Sequence, residues 1–262
     1  MSKVEDEYTR EVDAWQYRSG FTAIDEKLID DVFLELSING KLQDSILTIR
    51  DNLRLLAMGH FFLSLRIRPE HILHHVSIHG LKAELTLAEN IMESHYQNLC
   101  YKRVCSCRPS GARAAASTFL PDNELTLAAD KVRNIYGDFQ DSSALFKETG
   151  GVHGAALYNS AGEKAAFFKD ISRHNCFSKT VGFLIENISM KTTAGPVAMM
   201  VSCRVNQEIV RMAQRAGIKV LLIRAAPSLS AYREALQSGL TLVGFVKEER
   251  FTVFTGRKRI VS

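Results

Sequence analysis

The sequence predicts a mixed α/β protein, α+β overall, in two parts. Residues 1–115 form a smaller β-rich domain ending in a cysteine loop. Residues 116–262 form an α/β domain on a mostly parallel sheet. Three observations predict this. Asn39-Gly40 separates two alternating apolar runs, a β-hairpin signature. The continuous apolar run Pro196 to Ser202 and the mainly apolar runs Ile218 to Ile223 and Leu240 to Val246 read as buried strands and alternate with helical patterns, as parallel strands covered on both faces do. Between the two parts, Arg108 to Asn123 is rich in Arg, Pro, Ser, Gly and Ala, the composition of a loop and linker.

The elements follow in order. Val32 to Ile38 alternates as a strand, Asn39-Gly40 supplies the positive φ angles of a tight turn, and the return strand reaches Ile49. Asp51 is placed to cap a helix carrying Leu53, Leu56, Ala57 and Phe61, which stops before Pro69. Leu81, Ala83, Leu85 and Leu87 alternate as a further strand, and another is expected from Tyr96 towards the cysteine pair. A helix is expected over Glu124 to Tyr136. Val152 to Tyr158 and Ala165 to Phe168 flank the turn Asn159-Ser160-Ala161-Gly162, a second hairpin. Helices are then expected through Phe177 to Glu186, over Gln207 to Ala216 and over Ser230 to Gln237. The last two end at Gly217 and near Gly239, residues suited to the left-handed position after a helix.

With 46% hydrophobic and 24% charged residues, the composition is that of an ordinary globular protein. A net charge of +4 demands no strong polyanion, so no nucleic-acid partner is expected. The N-terminus has no apolar signal-peptide core and no apolar run is long enough to span a bilayer. A soluble, cytoplasmic protein without a membrane partner is expected. The five cysteines are an odd number, and Cys105 and Cys107 are too close in sequence to suit a bridge. They read as reagents rather than staples.

Lys102, Arg103 and Arg108 surround the two thiols and favour the nucleophilic thiolate. Cys107, followed by Arg108-Pro109-Ser110-Gly111, reads as the exposed, reactive thiol, and Cys105 as a core position. Cys100, Cys176 and Cys203 sit in apolar or helical contexts and read as small core residues. A zinc site lacks a second ligand pair, and His71, His74, His75 and His79 have no zinc spacing, so no directly bound metal is expected. Gly150-Gly151 before His153 fits either a plain turn or a close ligand approach. Arg173-His174-Asn175 opens a helix and fits either solvated charges or an anion site. Ser202 and Arg204 follow a buried strand, as do Ala226-Pro227-Ser228 and Phe245-Val246-Lys247-Glu248-Glu249-Arg250. Ligands of open α/β sheets gather at such strand ends. No phosphate-binding GxxxxGK[ST] loop, dinucleotide fingerprint or GxSxG elbow is present.

The segments TGGVHGAAL (Thr149 to Leu157), DISRHNCFSK (Asp170 to Lys179), VSCRVNQEIVRMAQRAGI (Val201 to Ile218) and LTLVGFVKEERFTVFT (Leu240 to Thr255) resemble the formate dehydrogenase accessory sulfurtransferase family, FdhD. The resemblance extends more weakly to LRLLAMGHFF (Leu53 to Phe62). It implies a cytidine-deaminase-like, three-layer second domain without zinc chemistry, and a homodimer. It implies a sulfur carrier that takes a persulfide from a cysteine desulfurase. The sulfur goes to the molybdenum bis(molybdopterin guanine dinucleotide) cofactor, bound as substrate, before its insertion into formate dehydrogenase. The family's loop reads Ser-Cys-Gly-x-Cys-Gly. Ser106-Cys107-Arg108-Pro109-Ser110-Gly111 aligns with it, so Cys107 is the implied persulfide carrier. The second cysteine is Ser110, which leaves Cys105 as an auxiliary thiol. The implied cofactor-contact segment is Phe245 to Arg250. Gly150, Gly151, His153, Arg173, His174, Asn175, Ser202 and Arg204 are implied parts of the nucleotide site. In the family's RHNxxDK pattern the Asp is Ser178 here. A cofactor-binding chaperone without sulfur transfer is the alternative that Ser110 raises. A deaminase would need a Pro-Cys-x-x-Cys pair, which is absent.

Overall fold

A computed structural model of the chain describes residues 6–89, 91, 126–187 and 198–262. Cys100, Cys105, Cys107, Ser110, the linker Arg108 to Asn123 and the strand expected from Tyr96 lie outside the described residues.

The described chain begins with a hairpin that the sequence reading missed, β1 (Thr9–Tyr17) and β2 (Phe21–Ile29). It pairs without a break from Thr9↔Ile29 to Tyr17↔Phe21. Most of its residues are exposed, so its apolar side chains fall on both faces and leave no period-two signal. Next come β3 (Asp31–Ile38) and β4 (Lys41–Ile49), joined as expected at Asn39 and Gly40, whose φ angles are 46° and 74°. With β5 (Val76–His79) and β6 (Lys82–Leu85) they form a four-stranded sheet in the order β4-β3-β6-β5. Its inner face, Leu34, Leu36, Ile38, Ala83 and Leu85, is buried in the same core as α1 (Leu53–Leu63). The cap of α1 is Asn52, one residue beyond the expected Asp51. Asn52 adopts a left-handed φ of 52° and donates its amide to Asp51 Oδ1 at 2.7 Å. Asparagine tolerates that region better than most residues.

After β7 (Leu127–Ala128) comes α2 (Ala129–Asp141). This helix starts later than Glu124 because Leu127 and Ala128 pair in parallel with the terminal strand β14 (Ile260–Val261). The short α3 (Ala144–Thr149) leads into the hairpin β8 (His153–Tyr158) and β9 (Lys164–Asp170). The rest alternates: α4 (Arg173–Glu186), β10 (Ala198–Val201), α5 (Gln207–Arg215), β11 (Val220–Ile223), α6 (Leu229–Ser238), β12 (Thr241–Gly244) and β13 (Thr252–Val253).

The central sheet has the order β13-β12-β11-β10-β8-β9. It is mixed, which corrects the mostly parallel sheet expected. β10–β11 and β11–β12 are parallel, whereas β8–β9, β10–β8 and β12–β13 are antiparallel. For β8–β9 and β12–β13 the cause is connection length, and β10, which runs the same way as β9 after the α4 crossover, is thereby antiparallel to β8. β8 and β9 are joined by a tight turn and β12 and β13 by a short loop, too little chain for a parallel crossover.

Strand alternation divides the interior. Ala155, Leu157, Met199, Val201, Leu221 and Ile223 face the core that contains α1, α4, α5 and α6. Ala156, Tyr158, Ala198, Met200, Val220 and Leu222 face α2 through Val132, Ile135 and Phe139. The apolar strand runs are thus covered on both faces, as their sequence requires. Helices α1 and α4 cross at glycine. A Cβ at Gly59 would overlap the Ser178 carbonyl oxygen and come within 2.9 Å of its Cα. One at Gly182 would overlap the Leu55 carbonyl oxygen and come within 2.8 Å of its Cα. Among the described residues no helix is long and apolar enough to cross a membrane.

Candidate functional site

β10, β11 and β12 run parallel and end at Val201, Ile223 and Gly244. β8 is antiparallel to β10 and therefore begins, at His153, on that same edge of the sheet. β9 returns to it at Asp170. The segments singled out in the sequence thus leave the sheet along one edge. Their order there is 245–250, 224–228, 202–204, 150–153 and 170–175. At about 4.8 Å per strand, the ends of β12 and β8 stand roughly 14 Å apart.

At the β8–β10 junction, Ser202 and Gly154 lock together. The Ser202 N–H donates to the Gly154 carbonyl at 3.0 Å, and the Gly154 N–H donates to Ser202 Oγ at 3.0 Å. Ser202 Oγ also lies 3.4 Å from His153 Nδ1. Burial pushes the His153 pKa below its ordinary 6.5, the Arg173 charge pushes the same way, and Asp170 opposes. The imidazole is therefore neutral at neutral pH. Arg173 opens α4, where Ser172 provides no side-chain cap, so its charge adds to the positive end of the helix dipole. Burial raises the Cys203 thiol pKa while Arg173 pulls it down. Cys176 is raised well above its usual range, by burial first and Asp170 second. Both are buried core thiols, as their sequence context suggested. His174 Nε2 lies 3.2 Å from Glu208 Oε2 in the first turn of α5, and Arg204 is exposed.

Replacing Arg173 with Gln is expected to raise the His153 pKa towards 6.5 without restoring it fully, because burial remains the larger cause. Since the folded value is depressed, His153 contributes stability above pH 6.5 that is lost as pH falls through the folded value. Arg173→Gln should lessen that acid loss. An NMR titration of the His153 ring reads the shift, and an unchanged value would remove Arg173 from this site.

At the other end of the edge, Phe245 has a φ of 52° and its ring sits 6.1 Å from that of Phe254. Lys247 N–H closes the loop on the Arg250 carbonyl at 2.9 Å. Lys247, Glu248, Glu249 and Arg250 are exposed and, with Tyr136 of α2, line a cleft of about 370 Å³.

Some residues expected at the site do not present their side chains to it. Val246 is fully buried in the core beneath α2. The buried Asn175 spends its amide on the Leu47 carbonyl at 2.8 Å and on Asp170 Oδ1 at 2.9 Å. Gly150 is the left-handed end of α3, and Gly151 gives way to Ile29 of β2, whose Cγ1 would lie 2.8 Å from an added Cβ. Cys105 and Cys107 fall outside the described residues. Among those described, His71, His74, His75 and His79 belong to no group able to hold a metal ion.

Four contributors lie outside the site residues that the sequence singled out, although Asp170 and Lys179 bound the DISRHNCFSK segment. Arg224 is exposed directly after β11, and its signal was a cation ending an apolar run. Tyr136 reaches the cleft from a distant helix and carries no local signal. Asp170 and Lys179 form a fully buried ion pair of 2.8 Å beneath the edge. Thr48 Oγ1 donates to Asp170 Oδ2 at 2.5 Å, the Ser172 N–H to Asp170 Oδ1 at 3.1 Å, and Lys179 Nζ to the Lys169 carbonyl at 3.0 Å.

Comparison with known proteins agrees with this layout. A crystal structure assigned as a formate dehydrogenase accessory protein from Desulfotalea psychrophila superposes with a TM-score of 0.78. That match covers 97% of this chain and 100% of that one at 20% identity, a likeness of fold. The "Sulfur carrier protein FdhD" of Nocardia farcinica is 36% identical over 151 residues, 57% of this chain and 53% of that protein. The protein of the same name from Sulfurisphaera tokodaii is 32% identical over 52% of each. In these matches the chain spans about half the length of its relatives. The Bacillus pumilus protein of that name is 28% identical over 94% of this chain and 95% of its own. The FdhD/NarQ family model matches residues 29–261, and the chain belongs to that family.

Proposed function

We propose that this chain is a sulfur carrier serving formate dehydrogenase. The observation that carries the reading is the convergence of Arg173, Arg204, Arg224, Lys247 and Arg250 on one sheet edge, in a chain whose relatives bear the name sulfur carrier. Such an edge suits an extended anionic ligand, because charge-assisted bonds to phosphate are the strong ones. In this reading the ligand is molybdenum bis(molybdopterin guanine dinucleotide), held as substrate by its nucleotide ends. The second half is then cytidine-deaminase-like and the working unit a cytoplasmic homodimer.

Cys107 is the sulfur-bearing residue. Its thiolate attacks the outer sulfur of a cysteine desulfurase persulfide. A new S–S bond forms on Cys107, the old one breaks, and the desulfurase cysteine leaves as thiolate. Residues 102, 103 and 108 are cations, which favour the attacking thiolate. The neutral His153 beside Ser202 supplies a lone pair and a hydroxyl for orienting the ligand rather than another charge.

The test is mass spectrometry after incubation with a cysteine desulfurase and cysteine. Wild type should gain a sulfur atom on Cys107, and Cys107→Ala should gain none. Ser110 in place of the family's second cysteine favours one other reading, a chaperone that binds the cofactor without carrying sulfur. An unmodified wild type, beside a desulfurase active on another acceptor, would select that chaperone.

A further inference from the structure

The β1–β2 hairpin exposes the chain's single tryptophan, Trp15 at 71%, with Tyr17 at 66% and Phe21 at 73%. A lone two-stranded hairpin is marginally stable in water, and aromatic clusters this open mark interaction surfaces. Register and alternation place Tyr17/Phe21, Trp15/Ala23, Asp13/Asp25 and Glu11/Lys27 as successive rungs of one face. Two features of that face are unusual. Asp13 and Asp25 are directly opposed, a like-charge rung that destabilises a hairpin, and neither has a cationic partner among the described residues. Trp15 faces only the methyl group of Ala23, so its indole is left uncovered beside the two carboxylates. The rungs are about 7 Å apart along the strand, a gap that an indole and a carboxylate span between them.

We propose that this face binds an arginine-bearing segment of a partner protein, the guanidinium stacking on Trp15 and pairing with Asp13 and Asp25. A planar guanidinium meets both demands: it stacks on an aromatic face and forms forked bonds with carboxylates. It also relieves the opposed charges. The hairpin is anchored where such a partner would be useful. Ile29 packs on Gly151, and Lys27 bridges to Glu148 of α3 at 2.9 Å, so its base adjoins the candidate site. The bound arginine would lie roughly 14 Å along the strand from that base. This inference stands on the hairpin alone and does not depend on sulfur transfer.

Because Trp15 is the only tryptophan, its fluorescence reports this face directly. The full chain is titrated with the peptide acetyl-Leu-Arg-Leu-Arg-Leu-amide, with its lysine and citrulline counterparts, and with anionic phosphatidylserine vesicles. A saturable change in emission is expected with the arginine peptide, weaker with lysine and absent with citrulline. Asp13→Asn with Asp25→Asn should weaken binding about tenfold. Those changes remove a repulsion, so the hairpin is not expected to unfold. Ala23→Leu, which fills the space beside the indole, is a second variant expected to block the peptide. Equal binding of the citrulline peptide, or full binding by the double Asn variant, would overturn the proposal. So would a response to vesicles but not to peptide. Emission that shifts with protein concentration alone would overturn it too, by assigning the face to a second copy of the chain.

Discussion

Gly182→Ala is expected to destabilise the protein by about 3 kcal/mol, a large effect for one added methyl group. Alanine is the better helix former, so local propensity favours the change and only packing opposes it. The opposition is severe because the obstacle is backbone. The new Cβ would overlap the Leu55 carbonyl oxygen of α1, which no rotamer can move aside. Gly59→Ala meets the Ser178 carbonyl oxygen of α4 in the same way, so the two glycines are the two sides of one crossing. Either substitution forces the helices apart, and having parted they accommodate the second methyl more easily. The double variant should therefore lose less than the sum of the singles, as coupled neighbours do. Gly137→Ala is the control. Gly137 lies within α2 with open space at its Cβ, and the same change there should stabilise by about 0.5–1 kcal/mol. Urea denaturation midpoints read all four variants against wild type. A Gly182→Ala midpoint at or above wild type would mean that α1 and α4 do not cross this closely.

That crossing also shows which parts of the fold were legible. Apolar runs such as Val220 to Ile223 announced their strands because burial on both faces leaves no polar residue in them. The Asn39-Gly40 turn was legible because few residue pairs adopt two successive positive φ angles. Gly59 and Gly182 were not, because their reason is a carbonyl more than a hundred residues away. The β1–β2 hairpin was missed for the opposite cause: neither of its faces is buried enough to impose alternation. At the site, the polar loops could be read as strand ends, and strand order then placed them on one edge. Whether an individual side chain faces that edge was not legible. Asn175 and Val246 sit among site residues in sequence, yet one is tied to Leu47 and the other buried under α2.

Lys179→Ala should lower stability by about 3–5 kcal/mol, because it strands the Asp170 carboxylate in the interior without its counter-charge. The hydrogen bonds to Asp170 from Thr48, Asn175 and the Ser172 N–H come from neutral groups and do not replace that counter-charge. Asp170→Asn paired with Lys179→Met, which removes both charges and keeps the volume, should recover much of the loss, since a buried pair need not outperform a well-packed neutral one. A double variant as unstable as Lys179→Ala would sink the charge argument and point to packing alone. The functional consequence follows from who holds Asp170. One oxygen accepts from Thr48 of β4, and the other from the Ser172 N–H where α4 begins, one residue before Arg173. The pair therefore fixes the start of α4 against the first-half sheet, and with it the charge that bears on His153 and Cys203. If it acts so, the neutral double variant should keep a depressed His153 pKa, while Lys179→Ala, with Asp170 released to move, should lose part of the depression. A ring titration of His153 in both proteins thus separates the pair's part in stability from its part in placing Arg173.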